Sequence, residues 1–544
     1  MRLFFALLAV CLHAEDGAAH ADWPQHGGTN LFWRYSALDQ INTSNVKRLV
    51  PVWAFQTGDY EMGFQATPIV VDGVLYVSTS RNNVYALDAA SGQMIWQYKY
   101  PAPRGAVPYG PQNRGVAVAA GKVFMGTYDN FVVAIDQKSG AESWKVSVDD
   151  VKQCGCNITG APLVVKDLVI VGGTGGDSAH RGYLTAFDTK TGRLKWRFYT
   201  IPGPGEKGHE TWKGDSWKLG GGATWMTGSY DPELNLVYWG TGNASSDFFA
   251  ADRDGTNLYT NSVIAIDPDT GKLRWHYQEV PKDVWDFDSA YESVLIDREV
   301  KGRMRKLLVH VNKGGFAFVL DRTNGEFVGG FPIVDNYNWI TGVTEDGKLV
   351  GRKEPVAGKP TYICPGAAGG KSWNQIAYSP RTGFIYTPSL EVCNDVVANR
   401  EEAHEGASFF GGNFIMKPPP NGPAHSHVDA YDPVTGKRQW SFSYKYSLLA
   451  SMLATAGDLV FTGDPEGNFF ALDARTGAKL WSFQTGAGHR GSSVSYAVNG
   501  RQYVATPTGW GSLVSNALTP VWPEAETFRS GSTLMVFALA EDAK

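Results

Sequence analysis

The sequence predicts an all-β chain folded as an eight-bladed β-propeller, on three observations: a repeated tryptophan motif, a glycine-rich composition, and short alternating apolar stretches ahead of the repeats. The motif is apolar-Asp-x-x-(Thr/Ser)-Gly-x-x-x-Trp, seen whole in Ala86–Trp96 and ending again at Trp144, Trp196, Trp275, Trp440 and Trp481. A copy without its tryptophan lies at Val319–Gly325. Each copy reads as strand, turn, strand. The Asp accepts turn N–H groups, the Gly takes the positive φ of a hairpin, and the Trp is free to wedge between neighbouring sheets. Glycine is 63 of 544 residues, above the roughly 7 % of average usage, which suits many tight turns. Upstream stretches such as Pro68–Val77 give two short strands around an Asp-Gly turn, so a repeat supplies about four strands, the content of one blade.

The motif Asp residues stand at 88, 136, 188, 267, 321, 432 and 473, spaced by 48, 52, 79, 54, 111 and 41. Two intervals therefore carry insertions, where function is expected to reside. Seven motifs and a degenerate segment around Trp53 make eight blades, and Thr533–Leu539 is expected to pair with N-terminal strands and close the ring. The repeat itself suits a scaffold propeller as well as an enzyme.

A net charge of −5 gives no basic field, so no nucleic-acid partner is expected. Residues 1–21 read as a signal peptide: Met1-Arg2, an apolar run Leu3–Leu12, and the small-residue site Ala19-His20-Ala21. Residues 22–544 then form the mature propeller domain, secreted into the periplasm. Cys11 has Val10 before it where a lipoprotein site wants a small residue, so lipidation is not expected. No other apolar run approaches the roughly 20 residues of a membrane span. Of the remaining cysteines, Cys364 and Cys393 would close a loop and form the favoured disulfide, while Cys154-Gly-Cys156 reads either as a strained bridge or as two buried thiols. No C-x-x-C-H occurs, so no covalent haem is encoded.

Asp286 and Asp288 in Asp283-Val-Trp-Asp-Phe-Asp288 stand at i and i+2, a spacing that in an extended segment points both carboxylates to one face. Such close like charges need a cation or a shared proton. Gly173–Asp177 and Gly240–Asn243 end strands in polar, glycine-rich loops. Asp177, Asn243, Asp286 and Asp288 together offer the oxygen ligands of a hard cation.

With Asn113–Val118, Gly220–Trp225, Tyr238–Asn243, Trp285–Asp288 and Thr508–Gly511, the chain resembles the pyrroloquinoline quinone (PQQ)-dependent methanol/ethanol dehydrogenase family from about Trp23 to Trp510. The resemblance implies oxidation of an alcohol, with Asp286 as the base and a bound metal ion as Lewis acid. It implies that Lys313 hydrogen-bonds the quinone oxygens and that Trp225 is the floor on which PQQ stacks. Gln65, Arg114, Thr159, Thr174, Gly175, Gly176, Thr224, Trp373 and Trp510 match other cofactor-binding positions. Asp288 resembles the mark of lanthanide-using members, and a trivalent ion is better neutralised by an added carboxylate, so a lanthanide is expected ahead of calcium. Without a haem motif, electrons are expected to pass to a separate c-type cytochrome.

The chain departs from the family pattern at four places. Pro108-Tyr109 replaces an adjacent cysteine pair, with Tyr109 placed to stack instead; Asp177 replaces a ligand Glu; Gln65 replaces a Glu; and Ser372 replaces an Asn beside Trp373. The alternative is a non-catalytic or degenerate propeller scaffold, against which Asp286, Asp288, Arg114 and Lys313 discriminate. The inserted loops Asn243–Asn257 and Glu391–Asn421 are expected to wall the substrate pocket.

Overall fold

The computed structural model describes residues 20–101 and 108–541. The predicted signal peptide, with Cys11, lies outside them except for His20 and Ala21. The described residues are all-β, with helices of only a few residues. They form eight sheets of four or five strands, joined by one three-stranded and one two-stranded sheet.

The motif chemistry is visible in the first full copy. Strand Val84–Asp88 pairs antiparallel with Val74–Ser78 on one side and Met94–Tyr98 on the other. The Asp88 carboxylate accepts the N–H groups of Ala90 and Ser91 at 3.1 and 2.8 Å, and Gly92 turns the chain at φ 73°.

The tryptophans join one sheet to the next. The Trp96 indole N–H donates to Gln137 O at 3.1 Å, Trp144 to Thr189 O at 3.2 Å, and Trp440 to Ala474 O at 3.1 Å. In each case the acceptor follows the motif Asp of the neighbouring sheet or lies next to it. The motif glycines serve this docking too, since a Cβ at Gly140 would lie 2.8 Å from the Trp96 ring and one at Gly192 2.8 Å from Trp144. In the copy that lacks its Trp, Phe331 packs against Gly436 in the same role. Deleting one such ring would cost about 3–5 kcal/mol.

Thr533–Leu539 pairs with Leu49–Gln56, with Leu49 opposite Leu539, so both chain ends share one sheet as expected. Trp481 docks on that sheet through a bond to Leu49 O at 3.2 Å. The longest insertion leaves between Phe384–Glu391 and His425–Tyr431 and builds the three-stranded sheet with Pro360–Ile363.

Cys364 and Cys393 are bonded, as favoured from sequence. Cys154 and Cys156 are also bonded, which removes the free-thiol alternative. Gly155 adopts φ 57°, and this turn brings the two Cα atoms to 5.0 Å.

Candidate functional site

The loop between strands Lys272–Gln278 and Ser293–Val300 carries Asp286 and Asp288. It is not the extended segment expected from sequence, because Asp286 is left-handed at φ 61°. Asp283 imposes the bend: its buried carboxylate accepts the N–H of Trp285 at 3.0 Å and of Phe287 at 2.8 Å, and the Asn261 amide at 3.2 Å. The two acids still converge, on Lys313. Its ammonium lies 2.7 Å from Asp286 Oδ2 and 3.3 Å from Asp288 Oδ2, supplying the cation that such close like charges require. Asp288 Oδ1 also accepts the Trp225 indole N–H at 3.3 Å.

Asp177 follows strand Leu168–Gly172, and Asn243 follows strand Leu236–Gly240. One carboxylate oxygen from each of Asp177, Asp247 and Asp286 lies within 4.8 Å of the others. Asn243, fully buried beside them, donates its amide N–H to Asp247 Oδ1 at 2.7 Å. Its own Oδ1 has no hydrogen-bond partner, and neither has Asp247 Oδ2 or Asp286 Oδ1. Native proteins rarely leave such oxygens unsatisfied. Glycine keeps the space open: a Cβ at Gly176 would strike Asn243 Oδ1, and one at Gly242 would lie 2.6 Å from Asp288 Oδ1. Asp288, turned to Lys313 and Trp225, is not in the converging trio.

Burial pushes the Asp177 carboxyl up to about 6, with repulsion from Asp288 adding to it and Lys313 and Asn243 opposing. Burial also drives Asp286 well above the carboxylate range; Lys313 opposes this, while Asp177 and Asp288 reinforce it. Asp247 is raised by burial and then by Asp177 and Asp286. The donor set is thus rich in anionic oxygen and short of positive charge, which fits a hard cation.

A second group adjoins Trp225. The Arg114 guanidinium carbon is 5.0 Å from the Trp225 ring centroid and 4.6 Å from that of Trp373, and Arg490 covers Trp373 at 4.0 Å. Arg114 donates to the Thr159 hydroxyl, and to Gln112 Oε1 at 3.4 Å, but its Nε is unpartnered. Burial lowers its pKa to about 9. Arg490 binds Leu449 O at 2.6 Å and Ser512 Oγ at 3.1 Å. Neither arginine faces a carboxylate among the described residues, so this buried pair fits an anionic, flat ligand.

The remaining sequence-predicted residues line up with these groups to different degrees. Gln65 is buried, with its Nε2 on Met62 O at 2.8 Å and its Oε1 unpartnered. Thr174 is engaged with Asn157 at 2.8 Å and Thr224 with Tyr183 O at 2.5 Å. Gly175 has φ 106°, where a Cβ would strike His180. Trp510 packs edge-on to Phe528 at 5.7 Å in the apolar cluster that also holds Trp285 and Leu449. The Tyr109 hydroxyl shares a 2.7 Å bond with Ser178 Oγ.

Sequence reasoning missed Asp247, Asp283, Arg490 and Phe331. The signal for Asp283 was its place two residues ahead of the Trp285–Asp288 segment; Asp247 and Arg490 stand in no motif. The two inserted loops meet around a cavity of about 740 Å³, lined by Ser245, Ser246, Phe249 and Arg253 from one and Arg400 and Phe409 from the other.

The family described as "PQQ: Glucose/ethanol/alcohol dehydrogenase, beta-propeller domain" matches residues 23–336 and 445–504. The quinoprotein alcohol dehydrogenase PedH of Pseudomonas putida is 38 % identical over 537 residues, covering 93 % of this chain and 89 % of that protein. The lanthanide-dependent methanol dehydrogenase of Methylorubrum extorquens is 37 % identical, covering 88 % of this chain and 85 % of its own. A solved europium-containing methanol dehydrogenase superposes with a TM-score of 0.90 at 36 % identity, covering 95 % of this chain and 98 % of that one. Family match, relatives and superposition agree, and the chain belongs to the PQQ-dependent quinoprotein alcohol dehydrogenases.

Proposed function

We propose that the protein oxidises a primary alcohol to the aldehyde using PQQ and a bound lanthanide ion, with calcium as second choice. The observation that carries this is Asp286: one of its oxygens is paired with Lys313 and the other is buried, unpartnered and beside the acids Asp177 and Asp247. When bound, PQQ would supply a two-electron acceptor for the alcohol's hydride and the ion would supply Lewis acidity for the quinone. Asp286 takes the hydroxyl proton. Lys313 opposes the neutralising effect of burial on that carboxylate and orients it, and Asp283 fixes the bend that presents it. Asp177, Asn243 and Asp286 would hold the ion, with the Asp288 charge beside them on Lys313 and Trp225. Trp225 would be the floor for the ring system, and Arg114, Thr159, Thr174, Gly175, Gly176, Thr224, Gln65, Trp373 and Trp510 would supply its other contacts. The cavity between the inserted loops gives the alcohol its path.

The eight sheets act as eight blades in a closed ring, supported by the docking of Trp or Phe rings on glycines of neighbouring sheets and of Trp481 on Leu49 O. The protein works in the periplasm after removal of residues 1–21 and passes electrons to a separate c-type cytochrome. Reconstitution with PQQ and either La³⁺ or Ca²⁺, followed by dye-linked alcohol oxidation, tests the core. Turnover with La³⁺ alone is expected. Turnover with Ca²⁺ alone keeps the enzyme and rejects the lanthanide, and turnover with neither rejects the reading.

A further inference from the structure

One carboxylate beside Asn243 belongs to no motif. Asp247 follows Asn243 by four residues and is 1 % exposed. Its Oδ1 accepts the Asn243 amide at 2.7 Å, while its Oδ2 has no partner. One of its oxygens stands within 4.8 Å of oxygens of both Asp177 and Asp286. The ammonium of Lys313 is engaged by Asp286 and Asp288, at 2.7 and 3.3 Å.

Two roles fit the Asn243 contact. As a mere hydrogen-bond acceptor, Asp247 would use one oxygen and leave the other desolvated among like charges, a penalty that a neutral acceptor avoids. As a ligand it uses both: Oδ1 fixes the Asn243 amide so that the Asn243 carbonyl oxygen stays free, and Oδ2 meets the ion. The second role also explains why three buried oxygens, on Asn243, Asp247 and Asp286, are left without donors together.

We propose that Asp247 is a direct ligand of the ion held by Asp177, Asn243 and Asp286, and that as the fourth carboxylate of the site it biases binding toward trivalent cations. Four carboxylates against one ammonium complement a tripositive charge better than a dipositive one. This assignment rests on the metal-dependent reading above.

The test is Eu³⁺ binding to the full chain, with luminescence lifetimes in H₂O and D₂O counting the waters on the ion. Asp247→Ala should carry about one more bound water than the unmodified protein and bind Eu³⁺ roughly tenfold or more weakly. Asp247→Asn keeps a partner for the Asn243 amide, so its loss should show as a Eu³⁺-to-Ca²⁺ affinity ratio lowered about tenfold. Without metal, Asp247→Asn should melt at or above the temperature of the unmodified protein, because a buried like charge is removed while the Asn243 amide keeps its acceptor. An unchanged water count in Asp247→Ala, or an unchanged affinity ratio in Asp247→Asn, overturns the assignment while leaving the metal site intact. Failure of the unmodified protein to bind Eu³⁺ overturns the metal-dependent reading and this assignment with it.

Discussion

Two clusters of acids in this molecule look alike in composition and differ in chemistry. Asp177, Asp247 and Asp286 bring ligand-type oxygens within 4.8 Å, and so do Asp335, Glu391 and His427 with their own ligand atoms. In the second cluster Glu391 is saturated: it accepts the N–H of Asp335 at 2.6 Å, the N–H and side-chain amide of Asn336 at 3.1 and 2.8 Å, and His427 at 3.2 Å. Burial alone would keep His427 neutral, but Asp429, 2.7 Å away, and Glu391 outweigh it and raise its pKa to about 9. Hydrogen bonds from His427 and Asn336 likewise overcome burial and hold Glu391 below the usual range. An imidazolium has no lone pair for a metal, so this cluster is an ion-pair network that ties the loop at Asp335 and Asn336 to the strands Phe384–Glu391 and His425–Tyr431. In the first cluster one oxygen each of Asp247 and Asp286 lacks a donor, as does the Asn243 carbonyl oxygen, and the carboxyls are pushed upward. Proximity of acids alone does not suit a metal; buried oxygens without donors do.

The largest effect should come from the first cluster. Asp286→Ala should lower dye-linked turnover by about a thousandfold or more, and near-normal activity would remove Asp286 from the role of base. His427→Gln should leave metal affinity and turnover in place but lower stability by about 3 kcal/mol at pH 6.5, read from denaturant midpoints. The sign follows from linkage. The folded pKa of about 9 lies above the unfolded value of 6.5, so the contribution is full below pH 6.5 and fades as pH rises toward 9. The unmodified protein should lose melting temperature across that window more steeply than His427→Gln; parallel curves would contradict the imidazolium. The smallest effect is expected at Asp288, whose oxygens are already engaged by Lys313 and Trp225. Asp288→Ser should shift the La³⁺-to-Ca²⁺ activity ratio toward calcium by roughly tenfold, and an unchanged ratio would show that the metal preference is set elsewhere.

The same contrast explains what the sequence revealed. The blade turns were legible because their chemistry is local: Asp88 bonds its own turn and Gly92 takes its own positive φ. The docking of Phe331, two residues beyond the motif's Trp position, was not legible, because its partner Gly436 stands about a hundred residues away in sequence and only the fold joins them. Asp286 and Asp288 were legible as a close carboxylate pair and Lys313 through the family resemblance, yet the pair does not lie on an extended segment, since Asp283 bends the loop by bonding two backbone N–H groups. Asp247 was invisible for a different reason. An acid four residues past an Asn is unremarkable until the chain folds its free oxygen against Asp177 and Asp286.

The most direct test of the contrast is a crystal of the PQQ-reconstituted protein soaked in a lanthanide and examined by anomalous scattering. The account predicts one strong peak among Asp177, Asn243, Asp247 and Asp286 and none between Glu391 and His427. A peak at Glu391 and His427, or an empty first cluster with PQQ in place, would contradict it.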